Sequence, residues 1–313
     1  MKNLIKISEL FLVVIFIISQ LIMLLSINNI VLHTVPKLLF FDKNIYHGVI
    51  FISGEFPVEF IKNSFTIAAP FLKINAILNK FDNYLYLING YFYSPIMEKQ
   101  KIIFILNLFK RLNVSAINLT EIEINNIYPL VLSNGDLFIS ANQNKVNVLP
   151  FKIIPLTLSS TINQKRSIPI FITGVSSRFL FYKNNDFEAF HNYIEETTDQ
   201  MINSLNELYN DAQNSKFRLL LFDCDQLFLD KIINKTRIHF NLVICSNSNK
   251  GNKIIKDGPS YIMFCDRFDK KITKIDIYLK NDEIYFKANE IPLFRRLLSK
   301  ELIETEFKDF VND

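Results

Sequence analysis

Short apolar runs alternate with longer amphipathic segments along most of this 313-residue chain. Residues 47–53, 83–90 and 168–175 are mostly apolar, and the first two runs end in polar positions, a pattern typical of buried strands in a parallel sheet. Residues 99–113 repeat their apolar positions every three or four residues and carry basic residues in the last turns, which predicts an amphipathic helix. The alternation predicts a layered α/β protein.

The same reasoning extends to the rest of the chain. Further strands are predicted at residues 114–119, 136–142, 217–224, 240–246 and 260–266, and further helices at residues 65–81 and 186–215. Residues 272–288 alternate on both sides of a Lys-Asn-Asp turn and predict a closing hairpin. With no repeat and no internal linker, we expect one domain over residues 46–289, followed by a C-terminal helix over residues 290–313.

The N-terminus carries the longest apolar run. Residues 10–32 exceed the ~20 residues that cross a bilayer as a helix. Lys2 and Lys6 precede the run and favour a cytoplasmic N-terminus. No small-residue cleavage site follows, so the sequence favours an uncleaved signal anchor over residues 1–32, with a cleaved signal peptide as the open alternative. A linker over residues 33–45 would then lead to a domain on the periplasmic or other extracytoplasmic side.

Composition excludes several classes of protein. Hydrophobic residues make up 49% and charged residues 21%, which excludes a disordered chain. The net charge of +4 is spread without a basic block, so no nucleic-acid partner is expected. The three cysteines have no C-x-x-C spacing, and buried, inert thiols are expected. An exported domain would still allow one disulfide among Cys224, Cys245 and Cys265.

Six phrases along the chain resemble, in order, the metallophosphoesterase domain of the 5′-nucleotidase type, within the calcineurin-like superfamily. They are YLINGYFY (residues 86–93), SAINLTEIEI (115–124), FISAN (138–142), IFITGV (170–175), LLLFDCD (219–225) and NLVICSNSN (241–249). The resemblance covers roughly residues 46–285. It implies a four-layer αββα sandwich with mixed sheets, here preceded by one transmembrane helix.

The resemblance also implies two metal ions that activate a water molecule and hold the phosphoryl oxygens. The family's Asp-x-His motif falls at Gly54 and Phe56 here, and the two carboxylates of its second motif fall at Ile88 and Tyr91. Its Gly-Asn-His-Glu tetrad falls at residues 120–123, which read Thr-Glu-Ile-Glu. The later histidines of the family fall at Asp223 or Cys224, at Asn247 and at Asn249.

No standard metal ligand is therefore retained at a motif position. His33, His47, His191 and His239, the only histidines, lie away from these positions and are expected to be structural or surface residues. We predict no catalytic residue, no cofactor-binding residue and no metal ligand, and no cofactor.

Polar residues nevertheless remain where the cleft of the family would lie. These vestigial candidates are Glu55, Asn89, Glu121, Glu123, Asp223, Asp225, Asn247 and Asn249. Glu121 with Asp223 or Asp225 would suffice for one hard cation. The alternative is that these residues cap strand ends and turns in water.

The functional hypothesis is a membrane-anchored, exported pseudo-phosphoesterase that acts as a non-catalytic binding or scaffold module with a protein partner. The alternative is a divergent, metal-dependent phosphoesterase or 5′-nucleotidase-like hydrolase with a remodelled site. The resemblance also implies a place in an envelope or electron-transfer assembly. The chain has no C-x-x-C-H sequence, so it binds no c-type haem itself.

Overall fold

The structure is a computed structural model. It describes residues 45–54, 64–90, 92, 99–143, 148–162, 164–177, 187–224, 226–248, 254–266 and 271–293. The predicted anchor, and the predicted linker up to residue 44, fall outside these ranges. Among the helices within them, none has the length and apolar character needed to cross a membrane.

Twelve strands lie within the described ranges. In chain order they are β1 Tyr46–Ser53, β2 Leu85–Asn89, β3 Ala116–Asn118, β4 Phe138–Ile139, β5 Phe151–Ser160, β6 Lys165–Ser177, β7 Phe217–Cys224, β8 Leu242–Ser248, β9 Ile254–Asp257, β10 Ser260–Asp266, β11 Lys271–Lys280 and β12 Glu283–Pro292. The helices described are α1 Ser64–Leu78, α2 Lys99–Arg111, α3 Glu121–Ser133, α4 Phe187–Glu207, α5 Tyr209–Gln213 and α6 Gln226–Lys235.

The predicted α/β alternation is confirmed, and β7 and β10 have the predicted bounds. The closing hairpin is also present. Lys280 pairs with Glu283, and the two residues between them, Asn281 and Asp282, have φ angles of 50° and 65°. Two consecutive residues with positive φ are the mark of the turn that best matches strand twist in two-residue hairpins. Strand β12 extends to Pro292, so the segment predicted as a helix from residue 290 begins as strand.

The sheet is mixed, with two parallel blocks. Strands β1 to β4 run parallel to one another, and β11 adds to the other side of β1 in the antiparallel sense. Strands β6, β7, β8 and β10 form the second parallel block. The antiparallel pair of β5 and β6 connects the blocks, because β5 also pairs with Tyr46 and His47 at the start of β1.

Alternation along the strands divides the apolar side chains among three core clusters. Tyr86 and the other residues on its face of β2 pack with α1, α2 and α3. Leu87 faces the opposite way and shares a cluster with Leu219 of β7 and Ile244 of β8. Phe222 belongs to the third cluster, with α4, α5 and α6. The two parallel blocks therefore pack against each other, with helices on both outer sides.

Candidate functional site

The carboxyl ends of the parallel strands meet along one edge of the packed blocks. Asn89, at the end of β2, is in register with Asn118, at the end of β3. In the second block, Ser176 of β6 is in register with Asp223 of β7. Polar residues at such an edge are where open α/β sheets place their ligand sites. Of the cleft positions inferred from the sequence, Asn89 and Asp223 therefore lie at this edge.

Two asparagines link the blocks at this edge, and we call Asn89 and Asn118 the asparagine clamp. The Asn89 amide donates to the main-chain carbonyls of Ile244 at 2.7 Å and Phe222 at 3.4 Å. Both side chains are fully buried. Because a carbonyl oxygen can only accept, the amide nitrogen must face it. Asn89 thus bonds from one block to the backbone of the other.

Asn118 completes the clamp. Its amide nitrogen donates to Asn89 Oδ1 at 2.9 Å, to the Val175 carbonyl at 3.1 Å and to the Leu221 carbonyl at 3.3 Å. Its own Oδ1 has no hydrogen-bond partner among the described residues and lies against Gly174. The two side chains thus donate to backbone carbonyls of β6, β7 and β8 and link the first block to three strands of the second.

A second pair of residues extends these links. The side-chain amide of Asn142 forms two hydrogen bonds with the backbone of Ser176. Asn142 Oδ1 accepts from the Ser176 N–H at 3.1 Å, and Asn142 Nδ2 donates to the Ser176 carbonyl at 2.8 Å. The Ser176 hydroxyl donates to the Leu119 carbonyl at 2.9 Å. Direct hydrogen bonds within the chain therefore hold this part of the edge as well.

Glu123 closes the first turn of α3. Its Oε2 accepts from the Thr120 backbone N–H at 2.9 Å and from the Thr120 hydroxyl. A glutamate at the third helical position that reaches back to the residue before the helix is a capping box. The Glu at the end of the family's tetrad position thus has a helix-capping role here, while its Oε1 is buried with no partner in the described residues.

Asp223 lies close enough to Glu123 to influence its ionisation. Burial raises the pKa of Glu123 to about 7, the bonds from Thr120 oppose that rise, and the negative charge of Asp223 adds to it. Asp223 accepts a 2.5 Å hydrogen bond from the Ser246 hydroxyl of β8. Burial and the neighbouring negative charge therefore favour the protonated form of Glu123.

The Glu123 carboxyl should make stability depend on pH. The folded chain keeps the Glu123 proton up to about pH 7, whereas an unperturbed glutamate loses it near 4.5. The folded state therefore binds more protons in this window, and stability falls as pH rises through it. Glu123→Gln should flatten the slope of unfolding free energy against pH by up to ~1.4 kcal/mol per pH unit. Urea denaturation at several pH values between 4.5 and about 7 measures this slope.

The exposed Glu207→Gln variant is the control for this profile, because it removes one carboxyl group without touching the edge. Equal pH slopes for wild type and Glu123→Gln would show that Glu123 is ionised throughout.

The eight candidate residues have different outcomes. Asn89, Glu123 and Asp223 lie at the edge and interact as described above. Glu121 opens α3 and Asn247 lies in β8, but their side chains are not described. Candidates that lie wholly outside the described residues are Glu55, Asp225 and Asn249.

One motif position points away from the edge. Ile88, at the place of a family carboxylate, is fully buried in the cluster under the helices. Its neighbour Asn89 faces the second block instead.

Sequence reasoning did not include Asn118, Asn142, Ser176 and Ser246 among the candidates. Their shared signal is a polar residue at or near the end of an apolar strand.

In the described part of the chain, His47, His239 and the three cysteines form no metal-like arrangement. His47 bonds Asp276 at 2.7 Å at the start of β1, and His239 precedes β8, so both lie at the amino ends of strands. No disulfide joins the three cysteines, which are all buried. Cys265 lies in the cluster between the blocks, whereas Cys224 and Cys245 lie under the helices.

The described residues do not fit the two-metal centre that the resemblance implies. Hard divalent cations need several oxygen or imidazole ligands directed at one point. Asn89 and Asn118 present N–H donors to carbonyl groups, and one oxygen of Glu123 caps a helix. Within the described ranges, no three His, Cys, Asp or Glu side chains are grouped so that they could hold a metal ion.

Comparisons with known proteins agree with the fold. No family model and no curated protein sequence matches this chain. The calcineurin-like phosphoesterase YfkN from Bacillus subtilis superposes with a TM-score of 0.56 and 12% identity, over 86% of this chain and 97% of that one. A 5′-nucleotidase precursor from Thermus thermophilus has a TM-score of 0.56 and 9% identity, over 85% of this chain and 58% of that one.

A third solved structure carries a different name. The sulfate thiohydrolase SoxB from Thermus thermophilus superposes with a TM-score of 0.52 and 12% identity, over 78% of this chain and 46% of that one. The resemblance in fold is therefore confirmed: the chain has the metallophosphoesterase-like fold. At such low identity these likenesses establish the fold alone.

Proposed function

We propose that this chain is a non-catalytic relative of the metallophosphoesterases. It is anchored in a membrane by residues 10–32 and acts outside the cytoplasm as a binding or scaffold module for a protein partner. The observation that carries the proposal is the asparagine clamp. Its amides direct their donors at backbone carbonyls along the edge where a hydrolase of this fold needs metal ligands and an open cleft.

Assays of the purified full chain test this proposal. Nucleotides and bis(p-nitrophenyl) phosphate are incubated with the protein and Mn²⁺, Zn²⁺ or Ca²⁺, beside an active phosphoesterase of the same fold. We expect phosphate or p-nitrophenol release at the level of buffer alone. Robust metal-dependent release would overturn the proposal. Membrane fractionation of the same chain, compared with a variant lacking residues 1–32, tests the anchor.

One observation supports the second candidate, a divergent hydrolase. Glu123 Oε1 is buried without a partner among the described residues, and the charge of Asp223 acts on it. That candidate requires stoichiometric metal in the purified protein together with metal-dependent turnover. Elemental analysis of the preparation used in the assay separates the two candidates.

A further inference from the structure

We propose that the asparagine clamp takes over the structural part of the missing metal centre and holds the two parallel blocks together without any ion. This role of the clamp is separate from the absence of catalysis, because a chain that hydrolyses nothing could still need a metal ion to join its blocks.

The hydrogen bonds of the clamp cross from one block to the other. Asn89 and Asn118 belong to the first block, and the carbonyls they reach belong to three strands of the second. The two side chains also bond each other at 2.9 Å, so each fixes the position of its neighbour. The result is one connected network across the strand ends, and such networks are more rigid than separate bonds.

The clamp presents hydrogen-bond donors to the second block. The hydrogens of an amide NH₂ group carry partial positive charge and point at carbonyl oxygens here, which is the role that a cation would otherwise fill between the two blocks. A divalent ion placed beside them would meet donors instead of acceptors. The clamp and a bound ion therefore exclude each other at this place.

The clamp is also buried, because Asn89 and Asn118 have no exposed surface. Asn118 Oδ1, which has no hydrogen-bond partner among the described residues, lies only 2.1 Å from where a Cβ on Gly174 would stand, so the glycine backbone covers this oxygen. The Gly174 backbone therefore blocks the approach of an ion from this side of the clamp.

Thermal unfolding of the full chain tests the inference without any mutation. The melting temperature is measured after exhaustive EDTA treatment and again with excess Mn²⁺, Zn²⁺ or Ca²⁺. A ligand that binds only the folded state raises the melting temperature with its concentration. We expect no change in either condition. A fall in EDTA, or a rise with added metal that EDTA reverses, would overturn the inference.

Asn89→Asp supplies the matched variant, because it keeps the shape and exchanges two donors for a carboxylate. The new oxygen would face the carbonyls of Phe222 and Ile244, so the melting temperature should fall by about 5 °C or more. Added metal should restore none of this loss. Asn83→Asp, the same change in an exposed turn, is the control and should shift the melting temperature by less than ~2 °C.

Each outcome decides the inference. Equal shifts for the two variants, or rescue of Asn89→Asp by a metal ion, would contradict it. If Asn89→Asp does not fold, the EDTA and metal series on wild type still decides. Phosphate release is measured separately, so failure of the clamp and failure of the proposed function remain distinguishable.

Discussion

Replacing Gly174 with alanine is expected to lower the free energy of unfolding by about 3–5 kcal/mol. A Cβ at this glycine would lie 2.1 Å from Oδ1 and 2.6 Å from Cγ of Asn118. Asn118 cannot turn aside without losing its bonds to Asn89, Val175 and Leu221. The added methyl group therefore expels the Asn118 side chain and opens the asparagine clamp. Urea denaturation followed by circular dichroism measures the loss.

Gly48→Ala is the matched control, since it also adds a methyl group to a glycine in a strand. The atoms in its way belong to leucine side chains: Leu158 Cδ2 at 2.3 Å and Leu156 Cδ2 at 3.1 Å. These terminal methyl groups can move by rotation, so the expected loss is about 1–2 kcal/mol. Equal losses for the two glycine variants would show that the clamp is no more rigid than ordinary core packing.

Asn118→Ala is the second large prediction, with an expected loss of about 3–4 kcal/mol. The truncation removes an amide NH₂ group that lies within hydrogen-bond distance of three acceptors, and it leaves the carbonyls of Val175 and Leu221 and the oxygen of Asn89 without this donor. The same urea experiment measures the change.

The control is Asn134→Ala. Asn134 is also buried, but its amide donates only within one helix end, to the Leu130 carbonyl at 2.8 Å and the Ser133 hydroxyl at 3.1 Å. We expect a loss of about 1 kcal/mol there. A similar loss at Asn118 would mean that its bonds across the blocks contribute no more than a local cap.

The two predictions are coupled. In an Asn118→Ala background, the nearest remaining atom to a Cβ on Gly174 is the Asn118 Cβ at 3.3 Å. Gly174→Ala should then lose only about 1 kcal/mol, so the double variant falls well short of the sum of the single ones. Additive losses in this cycle would show that the clash acts through some other group.

Much of the architecture follows from the sequence pattern. The apolar runs predict β1, β2, β7 and β10 because a strand buried on both faces needs apolar residues at nearly every position. The hairpin turn is predictable because Asn281 and Asp282 tolerate positive φ better than most residues.

Helix α3, strand β5 and helix α6 are among the described elements that the pattern does not predict. Helix α3 contains Pro129 and has non-helical backbone angles at Ile127, so its apolar spacing is interrupted. Strand β5 carries Pro155 and alternates irregularly between buried and exposed positions. Helix α6 is short and follows β7 almost directly, and its signal is hidden beside the apolar strand. Each of these elements is stabilised by tertiary packing more than by local preference.

The sequence by itself determined the α/β class and the strands and helices whose apolar pattern is uninterrupted, and it predicts that no standard metal ligand remains at the motif positions. Those properties depend on residue type and spacing along one chain. Only the tertiary structure decided that Asn89 faces the second block while Ile88 faces the helices, and that Asn89 and Asn118 bond backbone carbonyls of β6, β7 and β8. The acceptors of these bonds are main-chain oxygens, which every residue carries, so no pattern of side chains announces them.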